Sequence, residues 1–141
     1  MKNKKGIILA TIILVAFMTV FKNKIIQVYV ATFHNSLETY SENLLDDRST
    51  VNDTYGLWKV DINHEYNTVE FMTGSFGLVP SSTYKGFYYS ADNSHKVFSV
   101  ANHWATPLEV NGDYATWTDG TDNHGTSTRI IDKWFWFEAS F

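Results

Sequence analysis

The chain has 141 residues, no cysteine, 16% aromatic residues, and 11 Lys and Arg against 15 Asp and Glu, for a formal net charge of −4. Without cysteine there is neither a disulfide framework nor a lipid-modified thiol, so an apolar core must hold the fold, which is feasible at this size. The first 24 residues carry five lysines and no acid, leaving −9 on the remainder, a balance by which that remainder repels nucleic acid, anionic lipid head groups and acidic wall polymers and attracts a cationic protein or peptide.

In chain order, Lys2, Lys4, Lys5 and Lys22, Lys24 bracket an uncharged run, Gly6 to Phe21. At about 1.5 Å per residue the run makes roughly 24 Å of helix, against a hydrocarbon core of roughly 30 Å. Snorkelling lysines and local thinning close that gap, so the run predicts a transmembrane helix. A secretory signal peptide shares this layout but ends in a small-x-small cleavage site. Here Lys22, Asn23 and Lys24 form the boundary, and Tyr29 stands two places before the next small residue, Ala31. Residues 1–24 are therefore read as an uncleaved anchor in the cell membrane, with secretion after cleavage as the alternative. Lysine placement puts the N-terminus in the cytoplasm and the acidic part outside.

From Ile26 the apolar positions Val30, Phe33, Leu37, Tyr40 and Leu44 follow at spacings of three and four, predicting an amphipathic helix over 25–48. No Pro or Gly separates it from the anchor, so the two form one rod or bend at Lys22 to Lys24. The period changes to two from Tyr55, and residues 49–141 read as an antiparallel β domain that joins the helix in one globular unit, 25–141. Trp58 to Ile62 and Tyr66 to Thr73 form a hairpin about Asn63–Glu65. Gly74 to Ser82 reads as a loop, and Tyr84 to Ser90 pairs with His95 to Ala101 in a second hairpin. Asn111 and Gly112 accept the positive φ of a type I′ turn joining Leu108–Val110 to Asp113–Thr118. In the last run, Ser127 to Phe141, the stretch Trp134 to Phe137 is apolar on both faces, as expected of a strand at the centre of a covered sheet.

The fold class is thus α+β: a transmembrane helix, then one amphipathic helix on a curved antiparallel sheet of about six strands wrapped around it in the cystatin-like manner. A small β-barrel or sandwich with the helix as a stalk is the alternative.

The richest polar stretch, Asp119 to Gly125, offers Asp119, Asp122 and Asn123 as oxygen ligands, but it lacks the spacing and terminal Glu of an EF-hand loop and reads as an exposed turn. The histidines, His34, His64, His95, His103 and His124, nowhere pair at i, i+2 or i, i+4, so no metal or other cofactor is expected. Ser75 lies between glycines without the spacing or following helix of a nucleophile elbow. Glu70, Glu109, Asp113 and Glu138 are strand acids with no sign of a facing pair. Aromatic rings beside turns can stack on a sugar or a protein. Trp104, Tyr114 and Trp117, with Asp119, Asp122 and His124, are therefore the candidate binding residues. The functional expectation is a membrane-anchored, extracytoplasmic interaction module, of immunity or inhibitor type toward a cationic protein. The alternative is a small envelope enzyme working in a cleft between helix and sheet.

Overall fold

Helix-forming residues run from the N-terminus to Asp46 with no proline and one glycine, and in the computed structural model they form a single α-helix, α1, from Lys2 to Asp46. The structure describes residues 2–78, 81–97 and 108–141, with side chains described from residue 6 onward except at 15, 16, 18–20 and 78. At 45 residues α1 is about 68 Å long, so its two predicted segments are one continuous rod. Among the described residues no helix is long and apolar enough to cross a membrane. The expected transmembrane helix is therefore not found as such; its apolar run lies in the N-terminal half of α1, where the described large apolar side chains, Ile7 to Leu9, Ile12 to Leu14, Phe17 and Phe21, are exposed.

The buried line of the helix is Ile26, Val30, Leu37 and Ser41. Phe33, expected on this stripe, is half exposed and lies against Tyr29 with ring centres 4.8 Å apart. The rest of the expected stripe does meet the sheet: Ile26, Val30 and Leu37 are buried, and Tyr40 and Leu44 pack against the same cluster, Tyr40 with its ring centre 6.1 Å from that of Phe71.

Among the described residues eight strands follow: β1 Asn52–Tyr55, β2 Trp58–Asn63, β3 Thr68–Leu78, β4 Ser81–Ser90, β5 Leu108–Asn111, β6 Tyr114–Thr118, β7 His124–Ile131 and β8 Trp134–Ser140. They make one sheet, all antiparallel, in the order β1-β2-β3-β4-β8-β7-β6-β5. Two meanders of four strands meet where β4 pairs with β8. The fold is α+β, with an open sheet rather than a barrel. Val30 and Leu37, fully buried against the sheet, make α1 part of the core rather than a stalk.

Eight strands replace the expected six for identifiable reasons. Polar β1 has no apolar alternation and exists through pairing with β2 at the sheet edge, where charge and polarity are usual. Gly74 to Leu78, Ser81 and Ser82, expected as loop, continue the β3–β4 ladder beyond a bulge between Met72 and Gly74. Tyr84 to Ser90 pairs with β3 and β8 rather than with His95 to Ala101. His95 to Val97 are not strand, and residues 98–101 lie outside the described residues. The Ser127 to Phe141 run is a hairpin turning at Asp132–Lys133, where Lys133 takes φ 64° without the Gly or Asn that announces such a turn. The β5–β6 turn is shifted by one residue. Asn111 pairs with Tyr114, so Gly112 and Asp113 are the central residues, and the positive φ of 61° falls on Gly112. Glycine at the first central position is the II′ preference rather than I′.

β8 is central, as expected, and each face of it is buried in a different cluster. Trp134 and Trp136 join Phe71, Phe87, Tyr89 and the helix residues, while Phe135 and Phe137 join Tyr88, Trp117 and Ala139 on the opposite face.

Candidate functional site

The turn between β6 and β7 is organised by Asp119. Its carboxylate accepts hydrogen bonds from Thr121 N at 2.9 Å, Thr121 Oγ1 at 2.6 Å and Asn123 Nδ2 at 2.7 Å. Gly120 supplies the φ of 82° that this return requires. These donors favour the charged form and hold the Asp119 carboxyl below its ordinary pKa. Asp119 is thus committed to bracing the loop. Asp122 is exposed instead, and its carbonyl accepts from His124 Nδ1 at 2.8 Å, which fixes the orientation of that ring.

The braced loop forms one wall of an open cleft of ≈ 460 Å³. Asp122, Asn123 and His124 face Ser82, Thr83 and Ser140 at the adjoining ends of β4 and β8. The antiparallel order builds this site, because Thr83 pairs with Ser140 and Ser140 with His124 across three neighbouring strands. Thr83 Oγ1 and Ser140 Oγ are 3.0 Å apart. The chemistry on offer is a set of hydroxyls, an amide, an imidazole and one free-facing carboxylate, which suits hydrogen-bonded and cationic ligands.

The six predicted site residues divide. Asp122 and His124 line the cleft, and Asp119 braces it. Trp117 is 4% exposed, with its ring centre 5.9 Å from that of Phe141. A Cβ built on Gly125 would lie 2.5 Å from the Trp117 indole, so the ring rests directly on that glycine's backbone and offers no platform. Tyr114 is exposed, but it stands at the Gly112 end of β6, away from the loop. Trp104 lies outside the described residues. The strand acids are dispersed. Glu138 pairs with Lys85 at 2.9 Å, Asp113 with Arg129 at 3.2 Å, Glu109 is exposed and Glu70 is buried. Among the described residues no three His, Cys, Asp or Glu side chains come together to hold a metal.

Two side-chain clusters escaped sequence reasoning. Between sheet and helix, Lys133 Nζ donates to Glu38 Oε1 at 2.6 Å and Tyr89 OH to Glu42 Oε1 at 3.1 Å. The Glu38 contact raises the Lys133 pKa, and burial raises that of Tyr89 to about 12. On the other face, Tyr88 OH lies 2.7 Å from Ser127 Oγ, and Ser127 Oγ lies 2.9 Å from His95 Nδ1. The ends of this chain set its direction. Lys96 N donates to Tyr88 OH at 2.9 Å, and His95 Nε2 faces the Gly112 carbonyl at 3.4 Å. The carbonyl can only accept, so Nε2 carries the proton, Nδ1 accepts from Ser127, and Ser127 accepts from Tyr88. Ser127 and His95 thus have the contact of a nucleophile and its base, but they are 1% and 6% exposed. No carboxylate orients the imidazole, and burial lowers the His95 pKa. The trio is a structural relay. Its members are 32 and 39 residues apart, and only the β4–β8–β7 order brings them together.

Comparison of the chain with protein-family models, with curated proteins and with solved structures finds no match, so the functional reading rests on these residues alone.

Proposed function

We propose that the protein is a membrane-attached interaction module whose acidic domain works outside the cytoplasmic membrane and takes a cationic protein or peptide partner, in the manner of an immunity or inhibitor protein. The observation that carries the binding part is the division of labour in the β6–β7 loop. Asp119 is spent on rigidity, while Asp122 is presented at the mouth of a hydroxyl-lined cleft. A pre-shaped loop binds without paying for its own ordering. The −9 charge outside the first 24 residues adds attraction for a basic partner. Membrane attachment is supported by the Gly6 to Phe21 run and the exposure of Ile7, Ile8 and Leu9 at three successive helical positions. Lysine placement supports a cytoplasmic N-terminus. The enzyme reading finds less support, since among the described residues the Ser127–His95 contact is buried.

The test is titration of the isotope-labelled protein with an oligolysine peptide, read by amide shifts. Shifts should centre on residues 121–124, shrink as salt rises, and weaken in Asp122→Lys while Tyr114→Ala leaves them unchanged. Shifts spread evenly over all surface acids, or unchanged in Asp122→Lys, would remove the cleft from the proposal.

A further inference from the structure

The helix leaves the sheet at Lys22, whose Nζ donates to the Thr73 carbonyl at 2.9 Å. Before that point Ile7, Ile8 and Leu9 are 65, 59 and 60% exposed, and successive helical residues project about 100° apart, so apolar side chains leave the helix on every side. Ile12, Ile13 and Leu14 repeat this one turn later. The ends of two hairpins lie at the same end of the sheet. Leu57, in the turn between β1 and β2, is 102% exposed and adjoins Ile25 and Tyr29 in an apolar groove of ≈ 350 Å³. Phe76 is 86% exposed and stands three residues beyond Thr73, the residue that Lys22 grips. Singly exposed apolar residues are ordinary. Here Leu57, in a hairpin turn, and Phe76, near the end of β3, stand at the end of the sheet where the apolar part of α1 emerges beside Lys22 and Lys24.

We propose that Leu57 and Phe76 are membrane-seating tips: the domain rests directly on the bilayer, with both side chains in the interface and Lys22 and Lys24 at the level of the lipid phosphates. The proposal deepens the membrane-attachment reading and rests on it. A bilayer suits the geometry better than a second copy of the chain, because a helical partner would cover one stripe of α1, whereas the apolar surface surrounds it. The match to anionic head groups is local to Lys22 and Lys24, in the +5 segment of residues 1–24, while the −9 of the remainder opposes closer approach and so limits contact to the two apolar tips. The domain would then be oriented as well as tethered.

The absence of cysteine makes the test direct. Leu57→Cys, Phe76→Cys and Ile13→Cys, with Glu65→Cys in the β2–β3 turn as a control, each carry one polarity-sensitive fluorophore. The full chain is reconstituted into phosphatidylcholine–phosphatidylglycerol vesicles containing spin-labelled lipid. The probes at 57 and 76 should shift to the blue and be quenched by head-group-proximal spin labels, the probe at 13 should be quenched by deep labels, and the probe at 65 should do neither. If the probe at 13 is quenched while those at 57 and 76 stay water-like, the domain stands off the membrane; the seating proposal falls and the anchor survives. If the probe at 13 also escapes quenching, membrane attachment itself falls. A blue shift at 57 and 76 without lipid quenching would put a second copy on the tips and equally overturn the proposal.

Discussion

Trp134 and Trp136 on one face of β8, and Phe135 and Phe137 on the other, are all buried, yet the two faces are closed by different means. Toward the helix the core is packed mainly by aromatic rings. Phe71 and Phe87 stack at 4.6 Å, and both approach Trp134 at 6.0 Å. This face leaves Ser41 Oγ and Trp134 Nε1 buried without a hydrogen-bond partner. On the opposite face Tyr88 stacks on Phe135 at 5.1 Å, but the rings surround the Tyr88–Ser127–His95 relay, in which the hydroxyl and imidazole groups are paired. One face therefore tolerates unpaired polar atoms within a large apolar contact. The other depends on a polar chain that fails if any member is lost.

The largest test of this contrast is truncation. Trp134→Ala and Phe135→Ala should each cost about 3–5 kcal/mol, since both remove fully buried rings. Urea midpoints at unchanged slope would measure it. A loss below about 1 kcal/mol at Phe135 would mean that only the helix-covered face is a core.

Ser127→Ala sharpens the comparison. It strands the Tyr88 hydroxyl donor and the His95 Nδ1 acceptor together and should cost about 2 kcal/mol, far more than a hydroxyl-to-hydrogen change on the surface. A change within about 0.5 kcal/mol would show the relay to be dispensable.

Next in size is a pH effect confined to the relay face. Burial lowers the folded-state pKa of His95 below its ordinary value of 6.5. Below about pH 6.5 the unfolded chain binds a proton that the folded chain refuses. Stability should therefore be complete above that pH and fall as pH drops toward the folded-state value, by at most about 1.4 kcal/mol per unit. Thermal unfolding between pH 7.5 and 5 should show this slope, and His95→Gln should flatten it. An unchanged slope would assign the effect to another histidine.

The smallest change carries the opposite sign. Ser41→Ala removes a buried hydroxyl without a partner, so it should be neutral or stabilise by about 1 kcal/mol. A clear loss in denaturant titration would mean that the helix face holds a polar contact after all.

Helix α1, the hairpin ladders β2–β3 and β5–β6, and the central, doubly buried β8 were legible in the sequence because each depends on local periodicity. Ile26, Val30 and Leu37 repeat at helical spacing, and Trp134 to Phe137 leave no polar face. Much of the β6–β7 loop was legible too, since Asp, Gly, Thr and Asn announce a turn. Composition, however, does not tell which carboxylate closes on its own backbone, and only the folded loop separates Asp119 from Asp122. Polar β1, the extension of β3 past its bulge and the Asp132–Lys133 turn were decided by pairing partners rather than by their own residues. The β4–β8 junction was likewise beyond the sequence, because any of several strands can satisfy an antiparallel edge. That junction brings Ser82 and Thr83 to Ser140, and Tyr88 to Ser127. Charge asymmetry and the uncharged Gly6 to Phe21 run belong to the sequence alone, being sums over neighbouring residues. The cleft and the buried relay belong to the tertiary structure alone, because each is made from side chains on separate elements that only the sheet order brings within hydrogen-bonding reach.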